Sequence, residues 1–417
     1  MKRSAVAALA AAGLVAWGLL DRRDRRAIAA DPAWDELRAT VPHEEQEVRS
    51  TDGTRIHVEI YGPKDAPVIV LLHGWTQAIR FWNYQIRDLT DRFRVVAYDQ
   101  RGHGRSGVPG ELGQHAEALG DDLEAVLRAF VPEPQRAVIA GHSMGGISIA
   151  AWAARYPESV ARRAAAVAMV NTGVREVEEH VAMLGRRAGG KVNTRLLRPL
   201  LIAPLPLRRR IDPLAFRVAR YVALGRGASP GLVAFVHENV VATTPRARAG
   251  VIRAFRGLDL SQALANLTVP VAVISGGDDR LFPAWHARFM ASQLPNIVDY
   301  VEIRGSGHVS PLEMPAEVNR RLRRLATVYL ASYAGSGPNE GGSGDASSGT
   351  EYTEAADSVE DSIEDSVDEA VADDGRASTA ADPIVTVPLT VPPSSTRRRD
   401  ARMSPTSVPE PPTVNRA

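Results

Sequence analysis

Residues 137–146, AVIAGHSMGG, constrain the fold of this 417-residue chain more than any other stretch. Residues 137–140 are apolar and read as a buried strand. Gly141-His142-Ser143-Met144-Gly145 turns sharply, and the alanine-rich residues beyond read as a helix reaching Tyr156, where Pro157 stops it. A strand that enters a helix across G-x-S-x-G lifts the middle side chain out at a strained corner. Glycines two residues to either side leave room for close chain approach. Ser143 then stands exposed at a helix N-terminus, where the dipole and the free amide of Met144 favour negative charge developing on a bound oxygen.

Other apolar runs place the elbow in a sheet. Residues 47–61 read as a hairpin turning at Thr51-Asp52-Gly53-Thr54. Val68–Leu72 is a continuous apolar strand of the kind buried on both faces of a parallel sheet, and it ends in His73-Gly74-Trp75. A helix over 81–89, a strand over 94–98 ending in Asp99-Gln100-Arg101-Gly102-His103-Gly104, and a helix over 116–129 lead to the elbow. Residues 165–170 supply the next strand. Residues 269–275, 284–294, 298–303 and 316–333 resume as strand, helix, strand and helix. This alternation predicts an α/β architecture with a mostly parallel, doubly wound sheet.

Between 171 and 262 the alternation stops, and 16 basic residues accompany 6 acidic ones around apolar runs. This reads as an inserted helical cap. Its arginines, Arg208, Arg209 and Arg210 among them, are either solvated or turned toward anionic lipid headgroups. Residues 5–20 are uncharged and apolar, between Lys2 and Arg3 on one side and Arg22, Arg23, Arg25 and Arg26 on the other. As a helix they rise about 24 Å, short of a hydrocarbon core of about 30 Å. The flanking arginines favour an uncleaved anchor over a cleaved secretory signal, although Ala27-Ile28-Ala29 has a cleavage-site form; an interfacial or buried alanine-rich helix is the third reading. The charge bias weakly places the catalytic domain on the cytoplasmic side of a membrane. Beyond 334 the chain is rich in Gly, Ser, Pro and acid, with 11 acidic and no basic residues over 351–374, and is expected to be disordered. Expected divisions are therefore 1–30 as an apolar anchor or signal, 45–333 as the main domain with its cap at 171–262, and 334–417 as a tail of unknown partner.

His73-Gly74-Trp75, the Asp99 to Gly104 motif, GHSMGG around Ser143, GGDDRLFP around Asp279 and GHVSPLEMP from Gly307 occur in one order. By these five motifs, residues 45–333 resemble the α/β-hydrolase superfamily, including the position of the cap. The resemblance implies Ser143 as nucleophile, His308 as base and Asp279 as the acid that orients it. The backbone amides of Trp75 and Met144 are implied as the oxyanion hole. Asp279 is preferred to Asp278 because the family's acid has a glycine three residues before and a proline four after, here Gly276 and Pro283. Some relatives carry the acid after the sixth strand, where this chain has Asn171-Thr172.

Such a triad works because a serine hydroxyl is a poor nucleophile until a base takes its proton, and the base needs a carboxylate to stabilise the imidazolium. A serine at 143, where epoxide hydrolases and haloalkane dehalogenases have aspartate, disfavours those chemistries. The expected activity is serine hydrolysis of a carboxylic ester, a lipophilic small molecule or lipid, in the manner of an esterase or monoacylglycerol lipase. C–C bond hydrolysis or a lyase reaction on a soluble metabolite, and a non-enzymatic membrane scaffold with an acidic interaction tail, are the alternatives. His73 and His103 have no carboxylate cluster around them, so neither metal nor cofactor is expected, and with no cysteine there is no thiolate chemistry. A net charge of +1 without a strongly basic block argues against nucleic acid as the main partner.

Overall fold

The computed structural model describes residues 2–110, 115–177, 210–334 and 384–386; for residues 2–11, 332–334 and 384–386 it describes the backbone alone. In chain order, α1 (Lys2–Ala29) and α2 (Pro32–Arg38) precede the hairpin β1 (Glu44–Arg49) and β2 (Arg55–Tyr61). Next come β3 (Val68–Leu72), a 3₁₀ turn at Ile79–Trp82, α3 (Asn83–Leu89), β4 (Arg94–Tyr98) and α4 (Ala116–Phe130). The elbow segment comprises β5 (Ala137–His142), α5 (Met144–Arg155), α6 (Pro157–Arg163) and β6 (Ala164–Val170). The cap contributes α7 (Pro213–Ala223), α8 (Pro230–Ala242) and α9 (Pro245–Ala254). The chain then forms β7 (Val271–Gly276), α10 (Trp285–Gln293), β8 (Ile297–Ile303), α11 (Ser310–Glu313), α12 (Pro315–Ala334) and β9 (Ile384–Thr386).

The strands lie in the order β1-β2-β4-β3-β5-β6-β7-β8-β9. β2 is antiparallel to β1 and β4, β9 is antiparallel to β8, and the remaining neighbours are parallel. Every residue of β3, β5, β6 and β7 is buried, as strands covered on both faces require. Alternation divides each between two cores. Ile69 and Leu71 pack on one side with Trp82, Ile86, Leu322 and Phe235; Val68, Val70 and Leu72 pack on the other with Leu123, Trp152 and Met290. β3 has β4 on one flank and β5 on the other, so the crevice beyond their carboxyl ends is the topological switch point where α/β sheets bind ligands.

The cap sits between β6 and β7, and its described helices share one local design. Asp212, Ser229 and Thr244 each cap a helix N-terminus by accepting backbone N–H bonds, and each is followed by proline. The ring presets φ, and its missing N–H is one the first turn leaves unpaired.

Four features differ from the sequence expectation. Pro157 does not merely end the elbow helix; it is the first residue of α6. The domain reaches back before residue 45, because Leu37 is fully buried and its carbonyl accepts from Asn83 Nδ2 at 2.7 Å. Asp31 Oδ2 likewise accepts the Gly231 amide of the cap at 2.6 Å. The apolar run 5–20 is the first part of a longer helix whose later part belongs to the domain: Ile28 is buried, and Asp21 and Asp24 pair with Arg210 and Arg217. Among the described residues no helix is long and apolar enough to cross a membrane, so the expected transmembrane segment is without support there; the side chains of 2–11 lie outside that description. Finally, Ile384–Thr386 of the expected disordered tail pairs with β8. Arg208, Arg209 and the acidic run 351–374 lie outside the described residues.

Candidate active site

The elbow forms as the residue pattern requires. Ser143 adopts φ 52°, ψ −115°, a backbone conformation costly for a residue with a side chain, on the order of 1–3 kcal/mol. Its neighbours hold it there. The Ser143 amide donates to Val170 O at 3.0 Å, and Thr172 Oγ1 donates to Ser143 O at 2.7 Å. A Cβ on Gly145 would lie 2.3 Å from Leu72 O, so only glycine lets α5 start this close to β3. Gly74 faces the same corner: a Cβ there would lie 3.1 Å from Ser143 Cβ. His73-Gly74-Trp75 therefore runs beside the serine, and the Met144 amide opens a helix whose first N–H groups have no intrahelical acceptor.

In the loop after β8, His308 Nδ1 lies 2.9 Å from Asp279 Oδ2. An ionised carboxylate only accepts, so Nδ1 carries the proton and Nε2 is left as the basic nitrogen. Asp279 is held by more than the histidine. Its Oδ1 accepts the amides of Leu281 and Phe282 at 2.8 and 2.9 Å, and its Oδ2 accepts Asn171 Nδ2 at 3.1 Å. The Phe282 ring stacks on His308 with centroids 5.7 Å apart. Asp278, one residue earlier, is only half-buried, and its amide donates to Ser306 O at 2.8 Å. The structure thus brings His308 together with Asp279.

Two supporting residues were not identified from the sequence. Asn171 also donates to Gly307 O at 3.1 Å and adopts φ 46°, so it ties the acid to the histidine loop. In the sequence it marked only the absence of a rival acid. Glu313 accepts the amides of Gly307 and Val309, which flank His308, at 2.9 and 3.3 Å, and the cap amide of Gly225 at 2.6 Å. Burial raises its pKa from the ordinary carboxylate value. Its signal was its place in GHVSPLEMP.

His73 and His103 staple loops. His73 Nε2 accepts the Gln100 amide at 3.0 Å, and His103 Nε2 accepts the Thr76 amide at 3.1 Å. Burial drops their pKa values to about 3 and about 4, which keeps both rings neutral. Asp99 accepts the amides of Ile79 and Arg105 at 2.9 and 2.8 Å, and burial lifts its pKa to about 6. His142 Nε2 donates to His308 O at 2.8 Å, linking elbow and histidine loop.

Around Met144 the surroundings are apolar. Leu119, Met144, Ile147, Val177, Phe255 and Phe282 form one cluster, against which Trp75, Val251 and Leu281 pack. The cap also grips the histidine loop and the Asp279 turn directly, because the His308 amide donates to Ala223 O at 2.9 Å and Arg280 Nη1 donates to Tyr221 O at 2.8 Å.

Known proteins resemble this chain over the hydrolase fold. A bifunctional esterase/perhydrolase of Acinetobacter calcoaceticus is 27% identical over 66% of this chain and 97% of its own. A non-heme chloroperoxidase of Streptomyces lividans is 28% identical over 57% of this chain and 83% of its own. An esterase from Rhodococcus sp. ECU1013, 23% identical, shares the fold with a TM-score of 0.54 over 68% of this chain and 99% of its own. Residues 69–321 match the family described as "Alpha/beta hydrolase family". With that match spanning more than half of the chain, over the strands that carry the elbow, the Asp279 turn and the His308 loop, the protein belongs to the alpha/beta hydrolase family and is a hydrolase.

Proposed function

We propose that this hydrolase cleaves carboxylic esters of lipophilic acyl groups through a Ser143–His308–Asp279 triad. The reading rests on the pairing of His308 with Asp279 at 2.9 Å, in a loop that His142, the residue before a serine held at positive φ, ties to the elbow at 2.8 Å. His308 Nε2 takes the Ser143 proton as Oγ attacks the ester carbonyl, and Asp279 stabilises the resulting imidazolium. The amides of Trp75 and Met144 receive the oxyanion. His308 then returns the proton to the leaving alcohol, and a water activated by the same ring releases the acid from Ser143. The apolar cluster around Met144 suits an acyl chain better than a charged metabolite.

A fluorophosphonate probe and a series of p-nitrophenyl esters from acetyl to palmitoyl test this reading. Labelling of wild type but not of Ser143→Ala, with kcat/KM rising as the chain lengthens from acetyl, is expected. Absence of labelling and of ester turnover, together with cleavage of a vinylogous 1,5-diketone, would replace it with C–C hydrolysis.

A further inference from the structure

Helix α1 has two unlike halves. After Asp21 it is fastened to the cap: Asp21 pairs with Arg210 and Asp24 with Arg217, both at 2.7 Å, and Ile28 is buried. Before Asp21 the described side chains have almost no cover. Leu14 is 75% and Leu19 60% exposed, Val15 and Trp17 are exposed as well, and a Cβ on Gly13 or Gly18 would meet nothing within 4 Å. These residues point in all directions around the helix axis. A helix apolar on every side needs apolar surroundings on every side, which water does not supply.

The cap continues this surface. On α7, Leu214, Val218 and Tyr221 are exposed at i, i+4 and i+7, with Leu214 62% and Val218 51% accessible, while Phe216 on the other side of the same helix is buried. The ion pairs of Asp21 and Asp24 hold α7 beside the base of α1. The charge of this region is one-sided: residues 12–30 and 210–226 together hold eight basic and three acidic residues. Of the three, Asp21 and Asp24 are already paired, and Asp212 caps α7. Apolar side chains bordered by arginines with few competing acids match the profile of an anionic bilayer surface, acyl chains beneath and phosphates above.

We propose that this surface docks the protein on an anionic lipid bilayer. The apolar half of α1 inserts among the acyl chains, and the Leu214–Val218–Tyr221 stripe rests at headgroup level among Arg22, Arg23, Arg26 and Arg210. The inserted run of residues 5–20 rises about 24 Å, so it enters the bilayer without having to cross it. The docked α7 is the helix whose carboxyl end accepts the His308 amide, so the candidate active site lies close to the lipid. The proposal goes beyond the ester reading and does not depend on it, since binding is measured without substrate.

The test is flotation of the full chain with mixed phosphatidylcholine–phosphatidylglycerol vesicles and, in parallel, with pure phosphatidylcholine vesicles. Wild type should float with the mixed vesicles, less with the neutral ones, and less at high salt. Leu14→Glu with Leu19→Glu should lower the partition by about a hundredfold or more, because burying one leucine is worth roughly ten- to a hundredfold. Leu214→Ser with Val218→Ser should lower it by about tenfold. Both variants should keep the wild-type melting temperature, sedimentation coefficient and turnover of p-nitrophenyl acetate, since the replaced side chains touch solvent and not the triad. Wild type that stays with the aqueous fraction, or variants that float equally, would overturn the proposal. A variant that melts several degrees lower would show the surface covered by another part of this chain, and one that sediments as a smaller species would show it covered by a second copy. Either result also overturns lipid docking.

Discussion

Between β3 and α5 a single added methyl group would collide with backbone: a Cβ on Gly145 would lie 2.3 Å from Leu72 O and one on Gly141 2.4 Å from the backbone of Gly145. At Gly13 and Gly18 of α1 the same addition meets nothing within 4 Å. The first region spends its packing on holding one serine in a strained conformation. The second leaves leucines and a tryptophan in the open. Close packing with paired polar groups positions reacting atoms to fractions of an ångström, whereas uncovered apolar surface is ready for a partner. One protein thus contains a region that tolerates no change of shape beside one that tolerates nearly any change except of polarity.

The sharpest way to break that comparison is at the strained corner. Ser143→Ala should lower kcat for esters by about 10⁴-fold or more while leaving the melting temperature near that of wild type. Asp279→Asn should cost about 10³- to 10⁴-fold, because an amide stabilises neither the imidazolium nor the Nδ1 tautomer. Asp278→Asn, whose carboxylate is not the one beside His308 Nδ1, should cost less than about tenfold. Steady-state kinetics on one soluble ester checks all three, and equal losses in the two asparagine variants would detach His308 from Asp279 as its working partner.

Why the core was legible and the cap largely not follows from sequence distance. The elbow, the Asp279 turn and the His308 loop each place their defining residues within about ten positions, so glycine spacing and apolar runs expose them directly. Asn171 bonds Asp279 across 108 residues, and Glu313 bonds Gly225 across 88. Nothing local distinguishes that asparagine from a turn residue or that glutamate from a solvated one. The N-terminal boundary failed for the same reason. Asp21 and Arg210 stand 189 positions apart, so the sequence shows an apolar run and basic flanks without showing that the flank is fastened to the cap. Leu37 gave no signal in isolation either, because a lone leucine in a seven-residue helix becomes core only when α3 and the cap close over it.

Leu37→Ala measures how far the packed region extends toward the N-terminus. Leu37 is fully buried before the expected boundary at 45, so its truncation should destabilise the fold by about 2–5 kcal/mol. Chemical denaturation checks this, and a loss below about 0.5 kcal/mol would return α2 to the surface. Leu14→Ala, on the uncovered part of α1, should change stability in water by no more than about 0.5 kcal/mol.

The buried histidines extend the contrast to pH. His73 and His103 have folded-state pKa values of about 3 and about 4, against an unfolded value near 6.5. Their contribution is fully present above about pH 6.5 and is lost as pH falls through 4 and then 3, because the unfolded chain binds protons the folded one refuses. Asp99, raised to about 6, acts in the opposite sense: its contribution is present below the unfolded value of about 3.9 and is lost as pH rises through 6. With two histidines against one aspartate, the melting temperature should decline between pH 6.5 and 4, by an amount equivalent to a few kcal/mol. Histidine C2–H resonances provide the direct check: those of His73 and His103 should not titrate above pH 5, and midpoints above 6 would mean that their sites are open to water.

The smallest expected effect is at the seam between the two regions. Arg217 Nη1 lies 2.7 Å from Asp24 Oδ2, with the arginine side chain 46% and the aspartate 13% exposed. An ion pair so open to water gains little Coulomb energy, costs side-chain entropy and is screened by salt, so pairs of this kind are worth about 0.2–1 kcal/mol. Arg217→Gln should therefore lower the melting temperature by no more than about 4 °C, with less effect at high salt, where the Debye length shrinks to a few ångströms. A double-mutant cycle with Asp24→Asn separates the pair from the other contacts of Arg217, which also donates to Pro213 O at 2.7 Å and lies beside the Phe216 ring. A coupling energy within about 1 kcal/mol would mean that burial of Ile28 and the packing of α2, rather than charge, fasten α1 to the cap. A coupling above about 3 kcal/mol would place the pair in an environment as dry as the core, and the division drawn at Asp21 between the fastened and the open part of α1 would have to move toward the N-terminus.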